Sequence, residues 1–199
     1  ASVWKPSPKT PLTAIAVQLI CNKVMRENHL PPIFQLFIDG GTELATRFVV
    51  DKRVALVSFT GSTAVGRSVA ERVARRLGKV LLELGGNNAI IVDESADLKL
   101  AIPSIVFGAV GTAGQRCTTT RRVLVHRSRI DELEKRLTHA YSQVRIGNPM
   151  DAGVLMGPLI DKSAVERYSQ AIAQAKSAGG KVITGEKVPE GKGNFVAPT

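Results

Sequence analysis

The sequence predicts an α/β fold: a parallel, Rossmann-like cofactor-binding sheet, followed by the first part of a second α/β domain. Three observations carry this. Short apolar runs alternate with amphipathic helical stretches in the order βαβαβαβ as far as Leu82, and one more strand run follows to Val92. The runs at 33–38, 54–59, 80–82 and 88–92 are too short for helices and read as strands. The run at 54–59 passes directly into Thr60-Gly61-Ser62-Thr63 and a helix. At such a junction a pyrophosphate meets free N–H groups and a favourable helix dipole.

Residues 2–5 read as the end of a strand. Pro6, Pro8 and Pro11 forbid regular structure up to Thr10, which caps a helix with Pro11 at its first position. Leu12, Ile15, Ala16, Leu19, Ile20 and Val24 recur at helical spacing to Glu27, and Pro31-Pro32 stops the pattern. The strand at 33–38 closes at Asp39-Gly40-Gly41, and a helix follows over 42–50. The helix opening at Thr63 is expected to reach Leu77, with Gly78 as its stop. Asp97 caps a helix with Leu98, Ala101, Ile102, Ile105, Val106 and Ala109 inward, and Pro103 should bend it. Beyond it come a strand at 122–125, a helix at 130–144, a loop at 150–160, a helix at 163–178 and a strand at 181–184. The division falls near Ser95, giving a partial cofactor-binding domain at 1–95 and a partial catalytic domain at 96–199.

The chain has 199 residues, 44% of them hydrophobic, enough for a real core. Neither a membrane-length apolar run nor a signal peptide is visible, so a membrane is not an expected partner. Cys21 and Cys117 are far apart, which argues for a reducing compartment, the cytoplasm or, in a eukaryote, the mitochondrial matrix. The net charge of +10 raises the question of nucleic acid. The basic residues are scattered, however, and the densest group, Arg67, Arg72, Arg75, Arg76 and Lys79, sits at helical spacing like a solvated face. Aromatic content of 5% is too low for base-stacking platforms, so nucleic acid is not expected either.

The chemistry gathers in a few stretches. Phe107–Thr120, FGAVGTAGQRCTTT, is an apolar helix end that breaks into glycines and presents Gln115-Arg116-Cys117. Most lone cysteines are inert packing residues, but a thiol in a glycine-rich loop is a nucleophile if its proton is taken. Arg116 either serves the thiol or an anionic substrate, or is a structural ion-pair residue. Glu83 ends an apolar run before Gly85-Gly86 and is an edge residue or, if partly buried, a general base. Gly61 and Gly66 bracket the strand-to-helix turn. Their spacing is not the common dinucleotide fingerprint, and it half matches a phosphate loop whose lysine is here Arg67. That leaves a non-redox nucleotide-binding module as the alternative. Lys5 at a strand end is solvated or meets a ribose or phosphate. His29, His126 and His139 have no partners at metal-ligand spacing, so no metal is expected.

Together, Trp4-Lys5-Pro6-Ser7, Phe59-Thr60-Gly61-Ser62-Thr63, Glu83-Leu84-Gly85-Gly86 and Gly114-Gln115-Arg116-Cys117 resemble, in order and spacing, the aldehyde dehydrogenase superfamily. Gly147-Asn148-Pro149 and Gly157-Pro158-Leu159 extend the likeness. The variants GGNNAIIV and VGTAGQRCTTTRR are most similar to its antiquitin branch, the α-aminoadipic semialdehyde dehydrogenases.

The resemblance implies NAD(P)-dependent oxidation of an aldehyde, an acidic semialdehyde in that branch, to a carboxylate. Cys117 would attack the carbonyl, hydride would pass from the thiohemiacetal to the nicotinamide, and Glu83 would activate the water that hydrolyses the thioester. The Cys117 backbone N–H would be half of an oxyanion hole. Lys5, with Ser7 in the same motif, would hold the adenosine ribose. Ser62, with the turn from Gly61 to Gly66, would meet the pyrophosphate. Leu84 and Gly85, with Glu83, would lie beside the nicotinamide. Arg116 would anchor the substrate carboxylate. The family's usual ribose-binding glutamate is replaced by Pro8, which leaves NAD and NADP both open. Other family residues, including an asparagine of the oxyanion hole and the strand that builds a homo-oligomer, lie outside these 199 residues, so the chain resembles an internal segment.

Overall fold

The computed structural model describes residues 1–189 and 191–199. The chain divides into two compact units, Ala1–Leu84 and Gly85–Thr199.

The first unit carries β1 (Ser2–Trp4), α1 (Pro11–Glu27), β2 (Phe34–Leu36), α2 (Glu43–Val50), β3 (Leu56–Thr60), α3 (Thr63–Arg75) and β4 (Lys79–Glu83). Strand β1 pairs in parallel with β2, and β3 with β4, each across a helix. Helix α1 begins with Pro11 at its first turn, where a missing N–H costs nothing. Helix α3 is capped by the Ser62 hydroxyl, which accepts from Val65 N–H at 3.3 Å. Its apolar stripe of Val69 and Val73 packs on Val57, with Val49, Val54, Phe59 and Leu82 around them. The Arg76 guanidinium donates to Val49 O at 3.0 Å and so ties the end of α2 to the end of α3.

The end of α3 differs from expectation. The helix stops at Arg75, and Leu77 takes the left-handed conformation (φ 56°) expected at Gly78. Gly78 N–H bonds to Val73 O and Leu77 N–H to Ala74 O, the paired bonds of a Schellman cap. The glycine is one position too late, so a leucine carries the strained backbone.

The second unit carries β5 (Asn88–Val92), α4 (Leu98–Val110), β6 (Thr120–Val125), α5 (Ile130–Ser142) and α6 (Lys162–Ser177). Strand β5 pairs in parallel with β6. The Asp97 carboxylate caps α4, accepting from Lys99 N–H at 2.8 Å, and α4 runs through Pro103 without interruption. Val92, Leu98, Ile105 and Leu133 form one core cluster; Val106, Val110, Met156, Leu159 and Val196 form another.

The strands are thus all parallel, as predicted, but they pair two by two instead of forming one run from β1 to β5. Strand β5 belongs to the second unit, because its partner β6 lies there. The strand expected at 181–184 does not form. Ile183 is exposed, no described strand pairs with the segment, and Gly185 (φ 88°) turns the chain immediately after it. Without a ladder partner, a four-residue run cannot satisfy its backbone as a strand.

Candidate active site

In the first unit, the sequence-predicted residues gather at the carboxyl ends of strands. Register pairs Thr60 with Glu83, so the ends of β3 and β4 lie side by side. Gly61 N–H donates to Glu83 O at 3.0 Å. That N–H is therefore spent inside the fold, and a ligand at this turn would find the exposed start of α3 instead. Ser62 sits at the cap with Thr63 and Ala64 following, all exposed. Gly66 is buried, and its own N–H bonds to Ser62 O. A Cβ there would collide with the Leu84 side chain. Gly66 therefore provides clearance that lets Leu84 lie on α3. Glu83 is exposed, not partly buried as a desolvated base would be. Lys5, half-buried after β1, donates to Pro6 O at 2.9 Å. Ser7 is exposed, and its hydroxyl accepts from Lys9 N–H at 3.3 Å.

In the second unit, α4 ends in a turn of left-handed backbone. Thr112 and Ala113 have φ of 54° and 52°, and Gly114 has 71°. Two non-glycine residues in that region are costly, and such strain persists only where surrounding contacts hold it. The holder is Gln115. Its side-chain nitrogen donates to Thr112 O at 3.2 Å, and its oxygen accepts from Ile160 N–H at 2.9 Å. Arg116 is half-buried against the end of α4, donating to Phe107 O at 3.0 Å with its guanidinium 4.9 Å from the Phe107 ring centroid. A cation there also opposes the negative end of the helix dipole.

Cys117 is a free, exposed thiol. Its turn is closed by Thr119, which is 5% exposed. The Thr119 hydroxyl accepts from Arg116 N–H at 3.1 Å, and Thr119 N–H donates to Arg116 O at 3.2 Å. The Asn88 amide donates to Cys117 O at 2.6 Å and to Thr119 O at 3.1 Å. The carbonyls flanking the cysteine are thus taken, while its N–H has no acceptor among the described residues. An exposed thiol beside an uncommitted N–H is an arrangement able to attack a carbonyl and stabilise the oxyanion formed. The ring nitrogen Nδ1 of His126 is engaged with Ser128 Oγ at 2.8 Å, in keeping with a structural role.

The Aldehyde dehydrogenase family pattern matches residues 1–199. The chain belongs to the aldehyde dehydrogenase family. This aldehyde dehydrogenase chain is 53% identical over 197 residues to α-aminoadipic semialdehyde dehydrogenase of Rattus norvegicus; the match covers 99% of this chain and 36% of that protein. It is similar to betaine aldehyde dehydrogenase of Staphylococcus aureus in complex with NAD+, at TM-score 0.90 and 33% identity, covering 98% of this chain and 40% of that one. It is also similar to glyceraldehyde-3-phosphate dehydrogenase GapN of Methanocaldococcus jannaschii complexed with NADP, at TM-score 0.92 and 30% identity, covering 98% and 42% respectively. The aldehyde dehydrogenase segment therefore spans well under half of each of these proteins. Sequence reasoning missed Asn88, Gln115 and Thr119 as supports of the cysteine turn. A bulge that shifts the β5–β6 register at Asn88 and Ala89 places Asn88, and no residue pattern announces it.

Proposed function

We propose that the complete protein oxidises an aldehyde to its carboxylate with NAD or NADP, and that the substrate is an acidic semialdehyde. The observation that carries this is the exposed Cys117 thiol on a turn whose carbonyls are tied down and whose N–H is uncommitted. Membership of the aldehyde dehydrogenase family supports it, and the rat relative's name supports the semialdehyde.

The residues of the first unit suit a dinucleotide. Ser62, Thr63 and Ala64 offer an exposed helix start to a pyrophosphate; space is also open around Gly85, the first residue of the second unit. Lys5 and Ser7 would hold the adenosine ribose, and Leu84 and Gly85 the nicotinamide, with Gly66 keeping Leu84 in place. The bound nicotinamide supplies the hydride acceptor. Residues 1–95 in this reading form the partial cofactor-binding domain, which also supplies Glu83 to the chemistry, and residues 96–199 form the partial catalytic domain.

Cys117 Sγ, as thiolate, adds to the aldehyde carbon, and the carbonyl oxygen takes the charge and accepts from Cys117 N–H. Once the carbon has given up hydride, it is a thioester on Sγ. Glu83 takes a proton from water, the hydroxide attacks the thioester carbon, and the C–S bond breaks to leave thiolate and the carboxylic acid; the acid gives its proton to solvent as it leaves as carboxylate, and Glu83 returns its own to solvent. Arg116 keeps one terminal nitrogen beyond its bond to Phe107 O, and that nitrogen would pair with the substrate's acid group. A homo-oligomer belongs to the same reading.

The test is Glu83→Gln in the complete protein, mixed with NAD and an acidic semialdehyde. One equivalent of reduced cofactor should form, and the acyl group should remain on the Cys117 peptide by mass spectrometry. Repeated rapid turnover would remove Glu83 from the role of base.

A further inference from the structure

We propose that Asn88 is a positioning residue for Cys117: its side-chain amide holds the carbonyls of Cys117 and Thr119 and thereby fixes the peptide plane that follows the thiol-bearing carbon, and with it the placement of the thiol. The proposal rests on Cys117 being the nucleophile.

Both donors of one amide group are used. The Asn88 Nδ2 donates to Cys117 O at 2.6 Å and to Thr119 O at 3.1 Å. A primary amide has two N–H bonds on one nitrogen, so the two carbonyls take the full donor capacity of the side chain. The backbone makes this reach available. Strands β5 and β6 run parallel, so their first residues, Asn88 and Thr120, are register partners. The cysteine lies three residues before Thr120 and hence beside the start of β5. The register shift between Asn88 and Ala89 breaks the ladder at that point, as bulges beside active sites do when they re-aim a side chain.

The consequence for the cysteine follows from peptide geometry. The peptide joining Arg116 to Cys117 is planar and trans, so its N–H points opposite its C=O. Thr119 N–H holds that C=O at 3.2 Å, which directs the Cys117 N–H the other way. Asn88 holds the next carbonyl, that of Cys117 itself. The two peptide planes on either side of the thiol-bearing carbon are fixed by two different donors, and Asn88 is the only one that reaches from another strand. Thr119 therefore aims the Cys117 N–H, while Asn88 fixes the plane that follows the thiol-bearing carbon; loosening that plane lets the thiol drift from its position of attack and weakens the step in which the thiolate adds to the carbonyl.

The experiment uses the complete protein with Asn88→Asp and Asn88→Ser. Aspartate keeps the shape of asparagine but is ionised at neutral pH and has no donor. Serine is too short to reach both carbonyls and remains compatible with an exposed strand start. Both variants should lose kcat by about 10- to 100-fold, with the rate of the first burst of reduced cofactor falling in parallel. Cofactor affinity, read by fluorescence titration, should stay close to wild type, while Tm should fall by a few degrees as the two hydrogen bonds are lost. If Asn88→Asp keeps wild-type kcat, the side chain fills space only and the proposal fails. If the loss lies in cofactor affinity with the burst rate unchanged, it also fails. Cys117→Ser in the same assay separates the two levels: residual wild-type oxidation there would overturn the nucleophile assignment itself.

Discussion

In the first unit, Lys5 follows β1, Ser62 follows β3 and Glu83 closes β4, so each candidate stands at a carboxyl strand end. In the second, Cys117 stands just ahead of β6, beside the amino end of β5. Parallel sheets offer ligands a crevice at their carboxyl ends as a matter of topology. No such rule serves the amino ends. There the turn is built by single side chains: Gln115 holding Thr112 O, Thr119 bonding Arg116 at both backbone groups, and Asn88 holding two carbonyls. The difference suggests a division of labour. The first unit places its residues by fold, and the second by specific hydrogen bonds around one thiol.

The largest expected effect tests whether the two sets are separable. In the complete protein, Cys117→Ser should lower kcat by about four orders of magnitude or more, since losing the proposed nucleophile would remove the covalent route. Cofactor affinity should be unchanged by titration. A parallel loss of cofactor binding would show that the thiol turn also serves the first set.

The converse change is Gly66→Ala. Its methyl group meets Leu84 inside α3's packing face, so we expect a loss of about 1–3 kcal/mol in stability and weaker cofactor binding. The rate at which iodoacetamide alkylates Cys117 should be the same as in wild type. A changed alkylation rate would break the separation from the other side.

What was legible in the sequence follows the same division. Helix α1 runs from Pro11 to Glu27, as its proline start and apolar spacing indicate, and Asp97 caps α4 as expected. These are local signals, carried by residues within a turn of the feature they set. The turn at Gly61 and the carboxylate of Glu83 were visible because a strand end adjoins them in sequence. The pairing of β5 with β6 was not, because two strand runs do not state their partners. Asn88 was hidden for the same reason: its acceptors are 29 and 31 residues away, and they are reached through a register shift. The left-handed backbone at Thr112 and Ala113 was also hidden, since neither residue type favours it.

Leu77 offers a smaller test, one in which fold and sequence disagree openly. Its side chain is 95% exposed and its φ is 56°, so it has strained backbone and little packing in return. Leu77→Gly should raise stability by about 1 kcal/mol by chemical denaturation, the relief of a left-handed β-carbon less the added freedom of the unfolded chain. A loss instead would mean that the leucine is covered in the complete protein.

The smallest effect is expected at Asp51, a control outside every candidate motif. A hydrogen bond from the Arg53 guanidinium, then one from Arg53 N–H, lowers its carboxyl from 3.8 to about 2. A folded-state value below the unfolded one means that the ionised form favours folding. That contribution is present above pH 3.8 and is lost as pH falls through about 2. Arg53 is exposed and Asp51 half-buried, so solvent still screens the pair and Asp51→Asn should change Tm at pH 7 only slightly. Whatever gap exists should close between pH 3.8 and about 2, where the wild-type carboxyl also becomes neutral. A gap that widens on acidification would show that Arg53 is not the group holding this carboxylate.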